Sequence, residues 1–425
     1  MRFDRSSIAA PFHAFLALLA ATAILAGCSN KSPVKPATKP LSRVVLSAHA
    51  DTLTVGGQLQ FVATAYDTND VATGEVSIFW QSTDPAVCRV TGSGLVTAMG
   101  EGSAFVIASA SGKADTAVVY VLSSTTGWYT QASGTTSNLA GVCFLPDGHT
   151  GFAVGVAGTM VATTNAGANW APHASGTAAD LASVWFSDAG TGWAVGKGGT
   201  LMRTINAGST WLRQANLPTG ANLECVRFVD AQHGWIVGGG GGIAGGFVAR
   251  TRNGGATWTT RTLGGAVLYG VAFADTLNGW AVGQGVVYGT HDGGTSWYLV
   301  QPSLTSQTLR GVARAGNALA WAVGGQGSIA RSVATSDSLA WSLSSAGTDY
   351  TLNAIHMVSA TTGWIAGGNL SNGAILATHD GGTTWTPQVS ASDRTLSGVY
   401  FADGLRGWAV GAAGRIVHTS TAGAP

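Results

Sequence analysis

Between Trp128 and the C-terminus the apolar residues fall in short runs of four to six, each bounded by Gly, Asp or Asn. One stretch shows the pattern whole: Leu268 to Trp297, LYGVAFADTLNGWAVGQGVVYGTHDGGTSW. Its first run is Leu-x-Gly-Val-x-Phe, Leu268 to Phe273, and its second is Gly-Trp-Ala-Val-Gly. The third is Gly285 to Gly289, and the fourth starts at Trp297. Runs this short, rich in Val, Phe and Trp and without a helical period, predict β-strands. The aromatic of the second run recurs at Phe152, Trp193, Trp235, Trp280, Trp321, Trp364 and Trp408, every 41 to 45 residues. A repeat of that length signals a stacked or radial architecture. Four strands per unit and seven units predict an all-β chain with a seven-bladed β-propeller over residues 126–425.

Between the third and fourth runs sits Thr-x-(Asp/Asn)-x-Gly-x-(Thr/Ser/Asn)-Trp. It appears at Thr163 to Trp170, Thr204 to Trp211, Thr251 to Trp258, Thr290 to Trp297 and Thr378 to Trp385. A carboxylate or amide there hydrogen-bonds its own turn, Gly permits positive φ, and the Trp buries apolar surface under the hairpin. This spacing resembles the Asp-box (BNR-type) turn of sialidase-type propellers. With Gly-Trp-Ala-Val-Gly upstream, the unit resembles the photosystem II stability/assembly factor family over about residues 126–425. The resemblance implies the fold, and by fold analogy an assembly role. Two boxes depart from it: Thr335 to Trp341 is one residue short, and Thr419 to Ala424 ends before any Trp. Trp128 has no box before it, yet is followed by Tyr-Thr-Gln-Ala-Ser-Gly as box Trps are. Trp128 to Gly134 is therefore expected to be the outer strand of the last blade, closing the ring and removing its sheet edges.

Leu41 to Leu122 carries alternating runs separated by turn residues, which predicts a small β-sandwich. Its order of Trp80-Gln-Ser-Thr-Asp-Pro, Gly94-Leu-Val-Thr-Ala and Gly102-Ser-Ala-Phe-Val-Ile-Ala resembles the bacterial Ig-like domain, group 2. That resemblance implies a spacer or adhesive module with Trp80 in its core. Ahead of it, Arg2 and Arg5 precede the apolar stretch Ala9 to Ala26. Leu25-Ala26-Gly27-Cys28 resembles a bacterial lipobox, so residues 1–27 read as a lipoprotein signal peptide and Cys28 as the lipidation site. Residues 28–40 form a Pro- and Lys-bearing tether. Ser29 resembles the position that sends lipoproteins to the outer membrane. The expected location is the cell envelope, lipid-anchored through Cys28 at the outer membrane or cell surface.

Charge removes some functions. Only 10% of residues are charged and the net charge is +1, so nothing predicts a nucleic-acid partner. The nine His show no metal spacing, and no motif predicts a cofactor or metal. Gly238 to Gly246 lacks the Lys-Ser/Thr of a phosphate loop and reads as an enlarged turn in blade three. With Cys28 lipidated, Cys88, Cys143 and Cys225 are expected as buried, unpaired thiols.

Within the uniform repeat, two inner-strand positions vary. The second reads Ala140, Ala182, Glu224, Tyr269, Arg310, Asn353 and Ser397, and the fifth Cys143, Trp185, Arg227, Ala272, Ala313, His356 and Tyr400. Glu224, Arg227, Tyr269, Arg310, Asn353 and His356 are expected to converge near the axis, with Trp185 and Tyr400 as stacking platforms. Lys197, Gln284 and Gln326 fall in turns of the same face. These residues predict a ligand-binding site for a protein or glycan at the cell surface. A glycoside hydrolase such as a sialidase is the alternative. It needs two carboxylates at one centre, and Glu224 is the propeller's only Glu among three in the chain. The expected function is binding or assembly without catalysis.

Overall fold

Aromatic residues at fixed places in each strand decide how the sheets stack. The computed structural model describes residues 40–74, 76–122, 127–215, 217, 220–300, 306–316, 319–334 and 339–424. The lipobox, Cys28, all of the tether but Pro40, and most of the irregular fifth box lie outside them. From Tyr129 onward the strands form seven four-stranded antiparallel sheets. Each Leu-x-Gly-Val-x-Phe strand is innermost and packs on the next around a ring, Leu396–Phe401 returning to Leu139–Phe144. That is the radial arrangement the repeat predicts.

The ring closes by borrowing a strand. The seventh sheet takes Leu396–Phe401, Gly407–Gly411 and Ile416–Thr419 from the C-terminus and Tyr129–Gln131 from before the first blade. Tyr129 lies opposite His418 in that pairing. The interrupted box is completed in space. The Gly423 N–H donates to Thr419 Oγ1 at 2.8 Å, as Gly167 does to Thr163 at 2.9 Å, and the Gly127 N–H donates to the Ala424 carbonyl at 2.7 Å. Trp128 then meets Phe401 edge-on at 5.7 Å, the place a box Trp takes in other blades.

Between blades the glue is aromatic. Trp235 stacks on Phe273 of the next blade at 3.5 Å, Trp364 on Phe401 at 3.5 Å and Trp408 on Phe144 at 3.7 Å. The box Trp meets the same Phe edge-on, as Trp297 does with Phe273 at 5.9 Å. Such pairs contribute about 0.5–1.5 kcal/mol each beyond the area they bury. In the fifth blade Arg314 stands where Phe would be and lies 5.9 Å over Trp280.

Leu41–Leu122 forms three small sheets around one core that includes Val44, Phe61, Cys88, Val96, Val106 and Val119. Trp80 is half-buried against that core. Leu41–Pro425 makes one compact unit. Within it, Glu101 pairs with His418 and accepts the Tyr129 hydroxyl, while the Ser103 N–H donates to His149 Nε2 at 2.9 Å. Cys88, Cys143 and Cys225 are buried and unpaired.

One expectation is corrected. The Gly-rich run 238–246 is not an enlarged turn, because Gly234–Gly240 and Ile243–Thr251 are paired strands and only Gly241 and Gly242 lie between them. Glycine is needed for a different reason, crowding. A Cβ on Gly245, at φ +83°, would come within 1.9 Å of the Gly264 carbonyl oxygen.

Candidate binding mouth of the propeller

Every inner strand carries a β-bulge at one place. The pairing with the second strand skips the residue after the first Leu, as between Leu181 and Ser183, Leu223 and Cys225, and Leu309 and Gly311. The skipped residues are the variable second position, from Ala140 and Ala182 through Glu224, Tyr269, Arg310 and Asn353 to Ser397. A bulged residue leaves the ladder and its side chain is re-aimed. All seven of these side chains line one axial channel. The first Leu pairs with the last Gly of Gly-Trp-Ala-Val-Gly, as Leu181 does with Gly196. The ring of variable residues therefore sits at the end of the channel beside the turns that follow that motif.

The fifth position behaves differently. It is regularly paired, Trp185 opposite Trp193 and Tyr400 opposite Trp408. Trp185 Nε1–H donates to the Phe228 carbonyl at 3.1 Å, and the Tyr400 hydroxyl to the Phe144 carbonyl at 3.2 Å. Both rings fill seams between neighbouring inner strands rather than offering a stacking surface at the mouth. His356 packs edge-on against Tyr400 at 5.1 Å. Burial, and then the charge of Arg227, push its pKa down to about 4. Of this layer Arg227 alone reaches the channel lining, and its guanidinium donates to the Val226 carbonyl at 2.8 Å and lies 4.7 Å over Trp185. The nine candidates thus divide. Glu224, Tyr269, Arg310 and Asn353 meet at the mouth with Lys197 on its rim, Arg227 lies deeper, and Trp185, His356 and Tyr400 are packing.

Charges at the mouth are mostly matched. Lys197 Nζ is 2.6 Å from Asp180 Oδ2, and Asp180 Oδ1 accepts the Ala157 N–H of the preceding blade. Arg310 lies 5.6 Å over Tyr269. Asn353 Nδ2 donates to the Leu396 carbonyl at 2.8 Å. Burial raises the pKa of Glu224, and Lys197 and Arg310 only partly oppose this.

Beside the channel a cavity of about 480 Å³ opens over blades five to seven. Its lining includes Arg310, Asp349, Thr351, Asn353, Asn369 and Thr395. That volume falls in the ligand-site range of about 300–1,000 Å³, whereas the channel neck, about 110 Å³, has room for one side chain. The trough was not read from the sequence, though a signal existed. Thr378 follows Trp364 by 14 residues, where Thr204 follows Trp193 by 11. The extra length extends the hairpin Gly363–Asn369 and Asn372–Thr378. Blades one, two, five and seven instead turn at once through Val156–Gly158, Lys197–Gly199, Gly325–Gly327 and Ala412–Gly414.

The opposite face is turn chemistry. Asp188, Asp230, Asp275 and Asp403 each accept two backbone N–H groups just after the inner strand, Asp403 from Leu405 at 2.8 Å and Arg406 at 2.7 Å. Among the described residues no group of three His, Cys, Asp or Glu is placed to hold a metal ion.

Comparison with known proteins agrees with this architecture. The family model for photosynthesis system II assembly factor YCF48 matches residues 121–215 and 212–304. A solved structure described as YCF48 bound to D1 peptide is 21% identical, covers 70% of this chain and 98% of its own, and has a TM-score of 0.57. YCF48 from Cyanidioschyzon merolae is 20% identical over 69% of this chain and 98% of its own, with a TM-score of 0.55. Virginiamycin B lyase from Staphylococcus aureus shares the fold at 12% identity and a TM-score of 0.57, covering 69% of this chain and 99% of its own. No curated protein matches the chain. In its repeat and in its fold, the chain carries a YCF48-like BNR propeller.

Proposed function

We propose that the chain is an envelope-anchored, non-catalytic binding scaffold that engages a protein partner at the channel mouth and the adjoining trough. The observation that carries this reading is the bulged ring. Seven copies of one strand present dissimilar side chains to a single channel, beside a trough of ligand size. A scaffold repeat has no need of such variety at one register position. The solved relative described as bound to a D1 peptide supports a protein as partner. Glu224 is the one carboxylate of the channel neck, with Asp349 outside it at the trough, which disfavours the paired-carboxylate chemistry of glycosidic hydrolysis in the neck. The lipobox at Cys28 supports anchoring in the envelope. A photosystem-assembly role is the alternative that the family likeness favours.

The test is affinity capture from native membranes with the full chain and with Arg310→Ala/Asn353→Ala. Partner capture by the wild type and its loss in a folded double variant is the expected result. Equal capture by both overturns a mouth-face site. Labelling with radioactive palmitate, lost in Cys28→Ala, tests the anchor. A parallel glycan array separates the carbohydrate alternative.

A further inference from the structure

Charge at the mouth is unevenly satisfied. Lys197 has Asp180 within 2.6 Å. Arg227 is capped by the Val226 carbonyl and stacked on Trp185. Arg310 is exposed to solvent and faces the Tyr269 ring. Glu224 differs from all three. It is half-buried in the channel wall and makes no hydrogen bond or ion pair among the described residues. A carboxylate withdrawn from water without a short-range partner is costly, and an incoming cation relieves that cost. Of the cations, Lys197 already has a carboxylate and Arg227 a carbonyl, which leaves Arg310, over the Tyr269 ring, without an oxygen partner among the described residues.

Size narrows the choice. On one side of the ring the bulged residues are Ala140, Ala182 and Ser397, so the neck is open there and its volume of about 110 Å³ admits a single side chain. The trough joins the neck through Arg310, Asn353 and Ser397, which line both. Asp349 at the trough adds a second negative group along the approach. The trough is lined mainly by hydroxyls, amides and backbone, which suit the polar groups of an extended chain.

We propose that the channel neck is a socket for a lysine or arginine side chain of the partner, with Glu224 as its counter-ion and the trough holding the flanking backbone. This rests on the reading of the mouth as a protein-binding site and adds the chemistry of the residue it selects. Selectivity rests on Glu224, which repels an acidic side chain seated against it, while Arg227 and Arg310 in the same lining offset part of that repulsion.

The probes are N-acetyl-lysine amide, N-acetyl-arginine amide, N-acetyl-norleucine amide and N-acetyl-glutamate amide, titrated against the full chain by saturation-transfer NMR. The two cationic amides are expected to bind and the other two to bind at least about tenfold more weakly. Glu224→Gln should remove the preference for the cations. Ala182→Phe, which narrows the neck without changing charge, should weaken both cationic amides. Thermal melts of both variants report whether each is folded. Tighter binding of the glutamate amide, absence of any binding, or an unchanged cation preference in folded Glu224→Gln each overturns the socket. A photo-cross-linker at Thr351 in the trough separates this from the broader reading. Cross-links to a membrane protein without cation selectivity sink the socket alone, whereas cation binding without any cross-link sinks the protein-binding reading.

Discussion

Substituting Glu101 by Ala should loosen the seam that closes the ring. Glu101 sits in the turn before the strand Gly102–Ala110, far in sequence from the strands it joins. One carboxylate oxygen meets His418 Nε2 and the other accepts the Tyr129 hydroxyl. His418 and Tyr129 face each other across the pairing of Ile416–Thr419 with Tyr129–Gln131. The site is dry: the His418 side chain is 0% exposed and that of Glu101 10%. His418 Nδ1 lies 2.8 Å from the Gly407 carbonyl, and its ring stacks on Trp408 at 4.5 Å. Both ring nitrogens therefore face oxygen atoms, and removing the carboxylate leaves a buried polar group without its partner. Leaving a buried polar group unsatisfied in this way costs about 1–3 kcal/mol. A chain of this length need not unfold in one step, so the readout is local hydrogen exchange rather than a melting curve alone. At about 1.4 kcal/mol per decade, exchange at Thr130 and Gln131 should accelerate by about one to two orders of magnitude. Glu101→Gln keeps one acceptor and should lie between. Unchanged exchange at the seam in Glu101→Ala would refute the reasoning and make the contact incidental.

Three further outcomes follow from the same geometry. Deleting Trp128–Gly134 removes the borrowed strand, and should expose the edge of Ile416–Thr419 to proteolysis and lower the thermal midpoint; an unchanged melt contradicts strand borrowing. Gly255→Ala places a Cβ 2.2 Å from the Trp193 ring at a position with φ +76°, and should destabilise the chain by about 1–3 kcal/mol in urea titrations. The folded-state pKa of His356 is depressed to about 4, so the unfolded chain takes up the proton first as pH falls. Its contribution is fully present above about pH 6.5 and is lost towards pH 4, by at most about 3 kcal/mol, and His356→Gln should flatten stability over that window.

The repeat made the scaffold legible from the chain alone. Interval, strand count and the orphaned Trp128 each pointed to seven sheets and a borrowed strand, because the aromatic stack repeats with the sequence. The site was half legible. Variability at the second and fifth positions was visible, but a regular strand sends residues three apart to opposite sides. Which of the two faces the axis depends on the bulge, and the bulge has no letter of its own. Its trace is the small third residue. A Cβ on Gly311 would stand 3.1 Å from the Ala354 Cα of the next inner strand, so that position is held small by close packing of neighbouring strands. The trough is made by hairpin length and by the link into blade six, so its trace in the sequence is a spacing and not a change of composition.

The most direct measurement is a photo-cross-linking scan of the full chain in its native membranes. Probes at Asn369 and Ser397 sit on the mouth face, and probes at Thr295 and Leu405 sit among the turns of the opposite face. Adducts to one protein partner from the first pair alone are the predicted result. Adducts from the second pair alone would place binding on the turn face and contradict the account.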